Sequence, residues 1–177
     1  MTSRSKNLIS LILLAFTVVL GTFIYQNMNK TPQHEINIVP IANTAAISPI
    51  YRGVTVAQSF SSNLSRLSKV SLYVATYLKK DIPGNGTFEI LDQNRKVMIT
   101  QSFKLSDLID NSYHDFNFKA LHLKPDQKYY LTLTSDVKQP APIFTLWSNQ
   151  GFNRSSFALI ENGQSLKGSI IFKIYGN

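Results

Sequence analysis

At 177 residues, with no cysteine and a formal net charge of +8, the chain has room for one domain and an anchor, and it excludes a disulfide framework, a thiolate metal site and a lipidated cysteine. Its basic residues are dispersed: setting aside Arg4 and Lys6 leaves 16 basic against 10 acidic side chains, and Lys79-Lys80 and Arg95-Lys96 are the only adjacent basic pairs. No polybasic block tracks a nucleic-acid backbone, so no nucleic-acid partner is expected. A diffuse positive field is either a solvated basic surface or an attraction for anionic partners such as phospholipid headgroups and phosphorylated glycans. The lack of cysteine leans towards a bacterial envelope.

Residues 1–7 carry Arg4 and Lys6 and precede an uncharged apolar stretch, LISLILLAFTVVLGTFIY, over 8–25. That length suits a transmembrane helix across a hydrocarbon core of roughly 30 Å. The stretch is longer than the apolar region of a cleavable leader, and its exit, Ile24-Tyr25-Gln26-Asn27, offers a peptidase no small residues. An uncleaved signal anchor is expected, with cleavage at Val19-Leu20-Gly21 as the alternative, in the bacterial cytoplasmic membrane, single-pass, with the N-terminus inside and the remainder periplasmic or extracellular. Residues 26–53 turn polar and carry Pro32, Pro40 and Pro49, which reads as a stalk with a weak alternation at 35–40 as its one candidate edge strand.

From residue 54 to 177, apolar residues recur with period two in short runs separated by Gly, Asn, Asp and Pro. In the run 69–77, Val70, Leu72 and Val74 share a core face and leave Tyr73 and Tyr77 on the other. Runs at 87–91 and 96–100 flank Asp92-Gln93-Asn94-Arg95 as a hairpin. Residues 105–111 break the alternation and suit a single helical turn, after which Phe116 and Phe118 point one way. Tyr129, Leu131 and Leu133 mark another strand, and Ile143-Phe144-Thr145-Leu146-Trp147, apolar on both faces, a central one. Runs at 156–160 and 169–175 are joined through Asn162-Gly163. The fold class is all-β, a sandwich of about eight or nine strands.

Taken in order, these runs resemble the galactose-binding-like jelly-roll domains used by many non-catalytic carbohydrate-binding modules, and most of all the small exported ones of bacterial membrane-anchored envelope proteins. The likeness rests on Val56-Ala57-Gln58-Ser59-Phe60, Leu72-Tyr73-Val74-Ala75-Thr76-Tyr77, Gly86-Thr87-Phe88-Glu89-Ile90-Leu91-Asp92 and Leu108-Ile109-Asp110-Asn111-Ser112-Tyr113. It continues through Phe116-Asn117-Phe118, Lys128-Tyr129-Tyr130-Leu131, Thr145-Leu146-Trp147 and Ile171-Phe172-Lys173. It implies a jelly-roll β-sandwich over 54–177. Function does not follow from it, because such folds host sugar binding, docking and structural roles alike.

No nucleophile or metal motif is present. The histidines, His34, His114 and His122, have no ligand spacing, and His114 and Asp115, adjacent on a strand, point to opposite faces. Asp107, Asp110 and Asn111 suit local turn stabilisation better than calcium, which wants six to eight oxygens. Neither catalysis nor a cofactor or metal is expected. Sugar binding asks for an aromatic face beside planar polar groups. Trp147, starting a loop with Asn149, Gln150, Phe152, Asn153 and Arg154, supplies such groups, together with the outward Tyr73 and Tyr77; Tyr130 and Tyr175 share that outward reading. The bland alternative is equally physical: tyrosine packs well on exposed strand faces, and a lone tryptophan is often core. The expected function is a membrane-anchored, non-catalytic module engaging an envelope polysaccharide, or alternatively an accessory subunit docking on a membrane glycosyltransferase or other envelope complex.

Overall fold

The computed structural model describes residues 34–140, 144–152 and 157–177, together with Phe16, Thr17, Val19 and Thr22. The chain divides into two units, Met1–Gln33 and His34–Asn177. In the first, the four described residues are helical, and the Thr22 hydroxyl donates to the Val19 carbonyl oxygen at 2.8 Å. No helix among the described residues is long and apolar enough to cross a membrane; most of 8–25 lies outside them.

The second unit is all-β. Its strands are β1 (His34–Val39), β2 (Thr44–Ala46), β3 (Val56–Phe60), β4 (Arg66–Ala75), β5 (Asn85–Leu91), β6 (Val97–Lys104), β7 (Ser112–His122), β8 (Tyr129–Ser135), β9 (Thr145–Asn149), β10 (Leu159–Glu161), β11 (Gln164–Leu166), β12 (Ser169–Ile170) and β13 (Phe172–Gly176). They form two antiparallel sheets. The first runs β1-β13-β4-β9-β12, with β2 on β9 and β7 on β4; the second runs β11-β10-β3-β8-β5-β6. Central in the first sheet is β4: Val70 pairs with Ile174 on one flank and Phe116 on the other, and Val74 pairs with Leu146 and Ser112.

Alternation along the strands sorts side chains between core and surface. Val70, Leu72 and Val74 are buried and Tyr73 lies on the opposite face, as expected. The two sheets meet through rings: Phe88 of β5 stacks on Phe116 of β7 with centroids 4.1 Å apart, and Phe60 of β3 meets Phe172 of β13 edge-on at 6.0 Å. One buried polar tie crosses the core, where the Ile170 N–H donates to the Gln58 side-chain oxygen at 2.9 Å. Gly86 is required beneath the Phe103 ring, which any β-carbon there would strike. The β5–β6 hairpin forms as predicted: Arg95 takes a positive φ, and Asp92 accepts from the Asn94 and Lys96 amides. The predicted helical turn is the 3-10 segment Leu105–Asp107.

Four expectations change. The stalk expected over 26–53 does not hold from residue 34 on, because β1 pairs with β13 and β2 with β9; residues 26–33 lie outside the described residues. Short, polar strands with a central bulge gave no clean alternation, yet the edges of β13 and β9 need partners for their backbone groups. The Asn162-Gly163 turn forms, with φ of 49° and 82°, but joins β10 to β11, after which the chain changes sheets into β12 and β13. These short strands, with β1 and β2, bring the count to thirteen among the described residues. Finally, Trp147 lies within β9 and does not begin a loop.

Register also fixes polarity. His34 pairs with Gly176, which pairs with Leu67, so the folded unit begins and ends at the N-terminal end of β4, opposite Ala75. The Phe88–Phe116 stack predicts that Phe88→Ala lowers stability by about 3–5 kcal/mol, measured as a shifted urea midpoint with an unchanged slope.

Candidate functional site

At the C-terminal end of β4 the backbone leaves the sheet in a tight turn, closed by the Lys79 N–H donating to the Thr76 carbonyl oxygen at 3.0 Å. Tyr77 and Leu78 both take left-handed conformations, φ 53° and 60°, which bulky side chains rarely adopt. Asp110 holds them there. Its carboxylate accepts from the Thr76 N–H at 2.6 Å. Burial raises the pKa of this carboxyl, but the backbone amides of Thr76, Leu78 and Tyr77 outweigh that and hold it below the ordinary carboxylate range.

The network extends to the aromatic side of the site. Asn111, itself left-handed at φ 51°, donates through its amide nitrogen to Asp110 at 3.1 Å and accepts from the Trp147 indole N–H at 2.8 Å. β4 runs between β9, which carries Trp147, and β7, which Asn111 precedes. The small Ala75 lies on the same outer face and leaves the indole room. Ala75, Tyr77, Leu78, Asp110, Asn111 and Trp147 together line a depression of about 390 Å³. A second depression, of about 450 Å³, shares Leu78 and Asp110 and is otherwise lined by Lys79, Lys80, Asp81, Ser106, Leu108 and Ile109.

Of the residues singled out from the sequence, Trp147 and Tyr77 come together here. Tyr73 shares their sheet face but packs on Tyr113, with centroids 5.1 Å apart, outside the lining. Asn149 is only 4 % exposed; it donates to the Pro40 carbonyl oxygen at 3.1 Å and accepts from the Gly151 N–H at 2.9 Å, which makes it a loop brace. Gln150 is also used locally, bonding the Ser148 hydroxyl at 2.8 Å. Gly168 must be glycine beside this loop, since φ is 86° and a β-carbon would sit 2.6 Å from the Asn149 oxygen. Asn153 and Arg154 lie outside the described residues. The outward tyrosines divide between two surfaces: Tyr130 is on the second sheet beneath the Arg95 guanidinium, and Tyr175 on the first beneath Lys69.

Ala75, Leu78, Asp110 and Asn111 were not anticipated as lining. The available signal was Ala75 in phase with Tyr73; that Asp110 reaches back 34 residues to Thr76 is tertiary information.

Along the outer face of the first sheet, Lys173 pairs with Glu35 at 2.7 Å and lies 4.8 Å from the Tyr113 ring centroid, while Lys69 pairs with Asp115 at 3.3 Å. The Ser71 hydroxyl also donates to Asp115. The Tyr113 hydroxyl is buried and finds no hydrogen-bond partner among the described residues. His114 points the other way, against Phe103 and Phe116, where burial lowers its pKa despite Asp107 and Asp115. His114 and Asp115 therefore form no dyad. Among the described residues no three His, Asp or Glu side chains gather into a metal-binding cluster. Compared with known proteins, the sequence matches no family model and no curated protein.

Acid should unfold the domain in two steps. His114 resists protonation when folded, so stability declines once pH drops below about 6.5, where the unfolded chain takes up that proton. Below about pH 4 the depressed carboxyls, Asp110 with Glu35 and Asp136, lose the stabilisation they supply at neutral pH as pH falls through their folded-state values. Asp110→Ala is expected to cost about 1–3 kcal/mol at neutral pH and to make the second step shallower, both read from urea unfolding across pH. An acid profile identical to wild type would show that Asp110 carries no such linkage.

Proposed function

We propose that the chain is a membrane-anchored, non-catalytic extracytoplasmic binding module, built on a jelly-roll sandwich, that engages a cell-envelope glycan at the Trp147–Tyr77 depression. The observation that carries this reading is the fixed indole. Trp147 is oriented by Asn111 beside Tyr77, with amide and carboxylate groups at its edge, the combination that recognises a pyranose by its apolar face and its hydroxyls. The two-sheet fold supports the jelly-roll likeness. The uncharged stretch at 8–25 behind Arg4 and Lys6 supports a single-pass anchor in a bacterial cytoplasmic membrane, N-terminus inside. The folded unit begins at the end of β4 remote from the depression, an arrangement that suits a tethered receptor.

A second reading, an accessory subunit docking on a membrane glycosyltransferase or another envelope complex, draws on a different surface. Tyr73, Tyr113 and Tyr175, with Lys69 and Lys173, form an aromatic and charged face, and tyrosine is a residue type enriched where proteins dock.

Glycan-array screening followed by calorimetry is expected to find an envelope polysaccharide whose affinity falls at least about tenfold, or about 1.4 kcal/mol, in Trp147→Ala and Tyr77→Ala. Tyr113→Phe should leave that affinity unchanged. Binding to no envelope glycan, with a photocrosslinker at position 113 capturing one dominant membrane protein, would replace the first reading with the second.

A further inference from the structure

The loops that close the site also present apolar side chains to solvent: Leu78 is 83 % exposed, Ile109 70 % and Tyr77 45 %. Leu78 and Asp110 are common to both depressions, so the two are contiguous, and Leu78 stands between them as a shared wall. Their chemistries differ. The first is aromatic, with the Asn111 amide at its edge; the second brings in Lys79 and Lys80. The acids near these lysines are Asp81 and Asp110, and the Asp110 carboxylate is engaged by backbone amides and by Asn111. That leaves two ammonium groups opposed by one uncommitted lining carboxylate.

We infer that the ligand is an acidic glycan at least two units long, one unit lying on Trp147 and Tyr77 and the next crossing Leu78 to bring a carboxylate or phosphate substituent to Lys79 and Lys80. Each depression has the volume of a small-ligand site, and one neutral sugar ring would leave the basic one unused. The C–H faces of a pyranose pack on aliphatic as well as aromatic side chains, which gives the exposed Leu78 a role as a divider that both units touch. A compact ammonium makes a strong charge-assisted bond with a carboxylate or phosphate oxygen. The net positive charge that remains when Arg4 and Lys6 are set aside, 16 basic against 10 acidic side chains, draws such polymers towards the domain in a salt-dependent way.

This inference rests on the glycan reading, and its test separates the two. The full chain, held in nanodiscs, is titrated with matched oligosaccharides: uronate oligomers of one and four units, a phosphodiester-linked glycan, and the neutral methyl esters of the uronates. The four-unit acidic form is expected to bind at least about tenfold more tightly than its ester, the loss expected for one charge-assisted contact, and more tightly than the monomer. That preference should shrink as salt rises. Lys79→Glu with Lys80→Glu should abolish it while leaving ester affinity within about twofold, since both side chains are solvent-exposed and no core contact is lost. Trp147→Ala should weaken acidic and neutral forms alike. Equal affinity for acid and ester, or an acidic preference that survives the double lysine substitution, overturns the inference and leaves the glycan reading standing. Binding of none of these oligosaccharides overturns both.

Discussion

The backbone of β4 is engaged on both flanks, by β13 and then β9 on one side and by β7 on the other. A buried strand must place nearly all its N–H and C=O groups, so its neighbours are dictated by hydrogen-bond accounting as much as by side chains. The same accounting operates where the strand ends. Beyond Ala75 no strand continues the ladder, and the Thr76 N–H donates instead to the Asp110 carboxylate. A single acidic side chain thus substitutes for a missing strand, and its backbone position brings Asn111 against Trp147.

Magnitudes show why that carboxylate matters. Two bulky residues held at positive φ cost about 1–3 kcal/mol each, and hydrogen bonds to a charged acceptor contribute about 1.5–3 kcal/mol each. The terms are of similar size and opposite sign. Packing contributes little at Leu78, where full burial would have stabilised by about 1.5–3 kcal/mol but most of the side chain is in water. The turn conformation is therefore maintained by polar contacts and displays an apolar side chain without any gain from burying it. Scattered exposed aliphatic residues are ordinary on protein surfaces. Tyr77, Leu78 and Ile109 differ in gathering around two concave surfaces that share a wall.

How much of this was legible in the sequence depended on whether the cause was local. The β5–β6 hairpin, the 3-10 turn and the inward set Val70, Leu72 and Val74 follow from turn residues and period-two alternation, which short windows carry. Trp147 and Tyr77 were recognisable as candidates because aromatic side chains on an outward phase are visible one residue at a time. Asn149 was misjudged because an amide in a loop looks the same whether it faces a ligand or braces Pro40 and Gly151, and only burial separates the two. Asp110 was expected to stabilise its own local turn, but the backbone amide it accepts from lies 34 residues away in sequence. β1 showed only as the weak alternation at 35–40 and β2 not at all, because their pairing is determined by the open edges of β13 and β9 more than by their own composition.

The two functional readings occupy different parts of one sheet, and shape favours assigning them different ligands. The broad face of Tyr73, Tyr113, Tyr175, Lys69 and Lys173 is cross-linked by ion pairs and ring contacts along the strands, with Asp115 and Glu35 answering the lysines. Its charges are largely self-neutralised, so a partner there gains from the aromatic area more than from charge. The end of the sheet is the reverse. Its depressions are concave, its aromatic ring is fixed by a hydrogen bond, and its lysines are incompletely answered. Small repeating units with acidic substituents satisfy the second set of constraints and make no use of the first. No side chain of the broad face lines the depression, so the two readings make separate demands on the sequence.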